Sequence, residues 1–304
     1  MINHFLAFLG QKNHYKIYAS IFRVFASLLI LKEIVQLWLF IPIIYQQNSF
    51  FVDHNTRIFG LNNEVSEFLK AHVYLVLGCY IIFLIFYMFG FGKRITALFL
   101  FLIFNILQRL CPLILNGGDN LLSFILLYLI FIDSYSYLSL KPFNYKTENS
   151  RFLNNFFSNI FGFCICIHIS LIYLISALHK IHADVWFHGV AVYYTLQIQR
   201  FKGTSVNSFI ANNAILVTLI SYYTLFVELL YPTLVWFKKT KNWIICCAIF
   251  MHIGIYIFMM IYDFQLIFIA VQGFFFTNEQ WQQIIRKTNN YFKNLHIPKI
   301  VRYG

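Results

Sequence analysis

Lys180 is the residue in this chain whose surroundings could do the most chemistry. It sits where a long apolar stretch ends, between His179 and His182 and ahead of Trp186. A lysine desolvated by such neighbours loses its preference for the charged form and can act as a neutral base near pH 7. The plainer alternative is a lysine that snorkels its ammonium to a membrane surface. Further ionisable groups lie in or beside apolar runs: Arg23, Lys32, Glu33, Arg109, Asp119, Asp133, His168, Glu228, His252 and Asp263. Such residues are costly in a bilayer, so they face the inside of a helix bundle and pair there. Singly, each can be an ion pair or hydrogen bond that fixes packing; as a set they exceed what packing alone requires.

Other constellations are weaker. Cys164, His168, Ile175, His179 and His182 share a face if their helix continues, and soft ligands so arranged could hold zinc, iron or copper. The helix is expected to end near Leu178, however, and no carboxylate or second histidine pair completes a site, so no metal is assigned. Cys164 with Cys166, and Cys246 with Cys247, diverge on a helix and read as buried apolar fillers. No serine and histidine pair, aspartate dyad or HExxH motif marks a peptidase.

The elements that position these groups follow from composition. Of 304 residues, 60% are apolar and 11% charged, against roughly 25% charged in an average soluble domain. That excludes a soluble or disordered chain and predicts an all-α, polytopic transmembrane bundle. Apolar runs mark about eight spans, at 17–44, 71–91, 95–115, 121–138, 157–178, 209–236, 243–262 and 264–277, within a single domain covering 1–304. The third, with Gln108, Arg109 and Pro112, and the short eighth are the least regular. Of the 23 basic residues, 15 fall in segments on one side if the first span starts inside, which predicts both termini in the cytoplasm. The net charge of +12 is thereby explained by anionic lipid at the inner face and not by nucleic acid. No cleavable signal peptide is expected. Outer segments are then 45–70, the turn at NGGDN, and 179–208. In the last, Val185, Trp186, Val190, Tyr193, Tyr194 and Leu196 fit an amphipathic interfacial helix.

The stretch YLISALHKIHADVWFHGVAVYY resembles the signature of the HTTM membrane domain, shared with the vitamin K-dependent gamma-carboxylase. NGGDNLLSFILLYLIFIDSYSYLSL, VELLYPTLVWFKKTKNW and CAIFMHIGIYIFMMIYDFQLIFIAVQGFFFTNEQW resemble further segments of that family in the same order. Together they cover roughly residues 15–282. Within the family, the bare membrane domain is most similar to the sporulation-delaying protein B group, bacterial membrane proteins implied in making a secreted peptide toxin. The resemblance implies a catalytic base at Lys180, with Asp133, Glu228 and His252 as matched polar residues in the membrane. The site is expected as an outer-facing pocket in which Asp119 and Asp133 partner Lys180, and Glu228 and His252 form a deeper polar wall. Trp186, Tyr193, Tyr194, His179 and His182 would then bind substrate. The sequence departs from the carboxylase at Gly118-Asp119, where the family has a histidine, and it leaves no length for the carboxylase's lumenal substrate domain.

The expectation is therefore a multi-pass protein of the bacterial cytoplasmic membrane that matures a secreted peptide at the extracytoplasmic face. A soluble maturation protein is an expected further partner. Two alternatives stay open. One is a carboxylase-like oxidoreductase using a lipid quinone as cofactor; the other is a non-enzymatic scaffold or exporter for the peptide precursor.

Overall fold

A computed structural model of the chain describes residues 9–45 and 63–294, with backbone alone for 63–66 and 289–294. Most of the expected outer loop 45–70, together with Arg57, Lys299 and Arg302, lies outside the described residues. Among the described residues every regular element is helical, as the all-α expectation requires. Four helices are long and apolar enough to cross a membrane: α1 Lys16–Tyr45, α6 Glu148–Ile181, α10 Ala214–Leu234 and α11 Lys241–Met259. Large apolar side chains stand exposed along them, among them Leu39, Ile215, Leu219 and Phe250, a surface suited to hydrocarbon rather than water.

The other apolar runs form shorter helices: α3 Val73–Phe89, α4 Arg94–Leu110, α5 Gly117–Phe131 and α12 Tyr262–Val271. A helix of 17 residues such as α3 rises about 25 Å, against about 30 Å of hydrocarbon. Length and composition thus support four spans rather than the full eight. The breaks have local causes. Gly90 takes a left-handed φ of 77° and closes α3 onto the Phe86 and Tyr87 carbonyls. After α5, the Asp133 carboxylate receives the N–H groups of Tyr135 and Ser136, each at 3.1 Å, and an aspartate turn replaces the next helical turn.

Chain packing divides the protein into two compact units, a partition for which the sequence offers no linker. The first comprises Met1–Ile114, Ser123–Phe163 and Phe276–Gly304; the second comprises Leu115–Leu122 and Cys164–Phe275. Helix α6 contributes its earlier residues to the first and its later residues to the second.

In the first unit, α1 packs on α3 and α3 on α4. α2 (Asn63–Ala71) precedes α3, and α13 (Asn278–Asn294) lies on α1, with Trp281 stacked on Tyr18 at 4.7 Å. Arg23 is wholly buried. Its Nε donates to Ser134 O at 2.9 Å, and its other nitrogens donate to the carbonyls of Tyr87, Met88, Tyr137 and Leu138. The last carbonyls of a helix have no partner of their own and carry the negative end of its dipole, so one guanidinium satisfies the end of α3 and the turn after α5 together. Asparagines hold the N-terminal segment. Asn159 Nδ2 donates to Leu9 O and Lys12 O, each at 2.7 Å, Asn155 Nδ2 donates to Gly10 O, and Asn278 Oδ1 accepts the Ile17 N–H.

The second unit is built on the end of α6 with α10, α11 and α12, of which α11 packs on both α10 and α12. The expected amphipathic helix is two short ones, α7 Asp184–Phe187 and α8 Ala191–Gln197, and α9 Val206–Ala211 follows. Gly189 separates α7 from α8 with a φ of 69°, and a Cβ there would press on Thr218 and Tyr222 of α10 at 3.1 Å. The chain turns at that point because only glycine allows both the left-handed backbone and the close approach.

Replacing Arg23 by Met would strand the carbonyls it serves. Arg23→Met should lower folding stability in detergent by about 3 kcal/mol or more, and Arg23→Lys by less, because lysine satisfies fewer acceptors. Equilibrium unfolding of the three proteins gives the order, and equal stabilities would remove Arg23 from this role.

Candidate functional site

Helix α6 runs past Leu178 to Ile181, further than expected, and this decides the environment of Lys180. The lysine is still helical and stands one turn beyond Ser176, on the same face as Tyr173. Its Nζ donates to Ser176 Oγ at 3.1 Å and to Glu228 Oε1 of α10, and it lies 4.9 Å from the centre of the Trp186 ring. Lys180 therefore turns inward to an acid and an aromatic face instead of outward to a membrane surface. Glu228 is only 6% exposed. Its second carboxylate oxygen, Oε2, is buried and accepts no hydrogen bond.

The pair lines a cavity of about 340 Å³ in the second unit. The other walls are mainly apolar and aromatic, including Trp186, Ile220, Phe258, Phe264 and Phe268. Tyr173 and His252 also face it, and a directed chain of hydrogen bonds fixes them. Gln272 Nε2 donates to Tyr173 Oη at 3.2 Å, and Tyr173 Oη is hydrogen-bonded to His252 Nε2 at 2.7 Å. His252 Nδ1 donates to Gln265 Oε1, and Tyr231 Oη donates to Gln272 Oε1. Both ring nitrogens of His252 are therefore engaged, one by a phenol and one by an amide oxygen. Tyr173 and Tyr231 pack with ring centres 4.1 Å apart and planes tilted by 31°.

Four of the residues singled out in the sequence, Lys180, Glu228, His252 and Trp186, thus line one cavity. The others do not. Asp133 belongs to the first unit, where its carboxylate accepts from Tyr135 N, Ser136 N, Ser136 Oγ and Tyr145 Oη and shapes a turn. Asp119 Oδ2 accepts the Asn116 N–H at 2.8 Å and helps start α5. Tyr193 and Tyr194 are exposed and pack edge to face on each other. His179 and His182 are exposed as well, with His182 Nδ1 turned to Leu178 O. Among the described residues no three His, Cys, Asp or Glu side chains gather as metal ligands.

Tyr173, Ser176, Gln265 and Gln272 were not anticipated. A signal existed for each pair: Gln265 and Gln272 are seven residues apart in an otherwise apolar run, and Tyr173 and Ser176 precede Lys180 at helical spacing. No family model, curated protein or solved structure matches the chain.

Chemically, the site offers an ammonium and a carboxylate acceptor side by side at the wall of an apolar space. It suits a molecule with an apolar body and one hydrogen-bond donor, which would meet Glu228 Oε2.

Breaking the pair from one side leaves the other charge without its partner. Lys180→Met and Glu228→Gln should each lower stability in detergent by about 1–3 kcal/mol, and the double variant by less than the sum. A double-mutant cycle on equilibrium unfolding measures this, and strict additivity would dissolve the pair.

Proposed function

We propose that this chain is a multi-pass membrane protein that matures a secreted peptide, with the cavity at Lys180 and Glu228 as its reactive centre. The observation that carries the reading is the buried Glu228 Oε2, an acceptor without a donor, beside the Lys180 ammonium in an apolar cavity. Such an atom can take a proton from a bound group, while Lys180 steadies the negative charge that results. Tyr173 and His252, held by Gln272 and Gln265, give that wall a fixed shape. At about 340 Å³ the cavity suits a side chain or a small co-reactant rather than a folded peptide.

In this reading the shorter apolar helices join the four long ones as eight spans, with both termini cytoplasmic in a bacterial inner membrane. Segment 179–208 then faces outward, where a secreted peptide and a soluble maturation partner would meet it. A second reading is favoured by the aromatic walls: a quinol head group would fit between Trp186, Phe264 and Phe268, with its hydroxyl on Glu228. When bound, a lipid quinone would supply redox equivalents; the chain's own part is to orient the ring and accept the proton.

Gly254 gives a way to test the cavity without disturbing the pair. It lines the cavity, and a Cβ added there meets nothing within 4 Å. Gly254→Leu should keep or raise stability, since leucine is the better helix former by about 0.8 kcal/mol, yet fill the space. Mass spectrometry of peptides secreted by cells with the wild type, a deletion, Lys180→Ala or Gly254→Leu then decides. The mature peptide should fall about a hundredfold or more in both variants, in Lys180→Ala because the charge-stabilising ammonium is lost and in Gly254→Leu because the bound group is excluded. Identical peptides in all four would overturn the proposal, and maturation lost only in the deletion would indicate a scaffold.

A further inference from the structure

The first unit holds a cleft of a different character, about 510 Å³ in volume and walled mostly by polar groups. It opens beside the first turn of α1, where Lys12, Asn13 and Lys16 meet Arg151 of α6 and Glu279 of α13. Asn13 is only 5% exposed. Its Oδ1 accepts the N–H groups of Tyr15 and Lys16, at 2.9 and 3.0 Å, which fixes the amide and makes Nδ2 the donor end. That Nδ2 is buried and donates to nothing. A buried amide donor left unmet costs free energy that a ligand acceptor would recover.

The charges say which acceptor. Two carboxylates reach the cleft, and both are occupied. Glu279 is ion-paired with Lys12, whose hydrogen bond holds its carboxyl at about 2, well below the usual range. Asp133 is saturated by four donors and lies within the field of buried Arg23. Lys16 and Arg151 are in no ion pair among the described residues; Lys16 only lies 5.7 Å from the Tyr137 ring centre. Two uncompensated cations and one unmet amide donor therefore converge on the same space.

We infer that this cleft is a phosphate site, in which Asn13 Nδ2, Lys16 Nζ and the Arg151 guanidinium bind the oxygens of a phosphate group. A lysine, a guanidinium and an amide N–H are together the donor set that phosphate oxygens take. Because the cleft adjoins the start of a membrane-spanning helix, the phosphate of a lipid head group is one source; free inorganic phosphate is the other. The site is independent of the cavity at Lys180, so its failure or success leaves the maturation proposal untouched.

The test uses the purified full chain in detergent, with thermal unfolding followed as dioctanoyl phosphatidylglycerol, dioctanoylglycerol or inorganic phosphate is added. The phosphate-bearing lipid should raise the unfolding temperature and the glyceride should not. A rise with inorganic phosphate as well would name the free ion as sufficient, whereas a rise with the lipid alone would name the head group. Asn13→Asp keeps the Oδ1 that caps α1 but puts an anionic oxygen in place of Nδ2. Its half-saturating concentration should increase about tenfold or more, the loss of a charge-assisted hydrogen bond. Arg151→Gln, at an exposed position, should weaken binding similarly with the fold intact. No shift with either phosphate probe, or wild-type half-saturation in both variants, would overturn the site.

Discussion

The hydrocarbon of a bilayer offers polar groups no water, so inside a spanning bundle an unpartnered polar group is costly and most find a partner within the protein. Most of what is distinctive in this molecule follows from that constraint. Arg23 meets it by donating to the carbonyls at the end of α3 and after α5. His252 meets it with both nitrogens engaged, and Tyr173 and the two glutamines complete the chain. Lys180 meets it through Glu228 and Ser176. Within the second unit, Glu228 Oε2 is, among the described residues, the one buried side-chain polar atom that no hydrogen bond meets.

The same constraint links structure to function in the second unit. A fully bonded network is stiff, because moving one member leaves another unmet. The Tyr173, His252 and Gln265 wall is of this kind, and it holds the cavity open against collapse. The ion pair is different: one oxygen of Glu228 is spent on Lys180 and the other is available. A ligand or substrate donor can bind there without breaking anything already formed. That is the arrangement in which a buried carboxylate can both bind and receive a proton, with the cost of its charge offset by the neighbouring ammonium.

Much of the site was legible because charges and histidines are costly in apolar sequence. That cost picked out Lys180, Glu228 and His252 together, with Trp186 nearby. It could not tell an in-cavity acid from an acid at a helix end, and so it also picked Asp133 and Asp119. Both lie in short runs of serine, glycine or asparagine, DSYS and NGGDN, where a carboxylate caps backbone N–H groups instead. Neutral polar residues escaped notice because a glutamine or tyrosine costs less than a charge, although Gln265 and Gln272 carry the network. Helix ends were misplaced for a related reason: the apolar window 121–138 passes over Asp133, whose effect is on backbone direction and not on hydropathy, while the polar start and end of α6 hid a helix that runs from Glu148 to Ile181. The asparagine clasp at 9–14 depends on pairings more than a hundred residues apart in sequence, and nothing local announces it.

On the proposed function, the cavity beside Lys180 holds a small molecule whose donor group meets Glu228 Oε2. Native mass spectrometry of the intact chain, extracted from the cells that make it, tests this most directly when the wild type is set beside Glu228→Gln. A small, mainly apolar molecule bearing a hydroxyl or amine should be retained by the wild type and lost from the variant. A wild-type chain that carries no such molecule, or a variant that retains it equally well, would contradict the account.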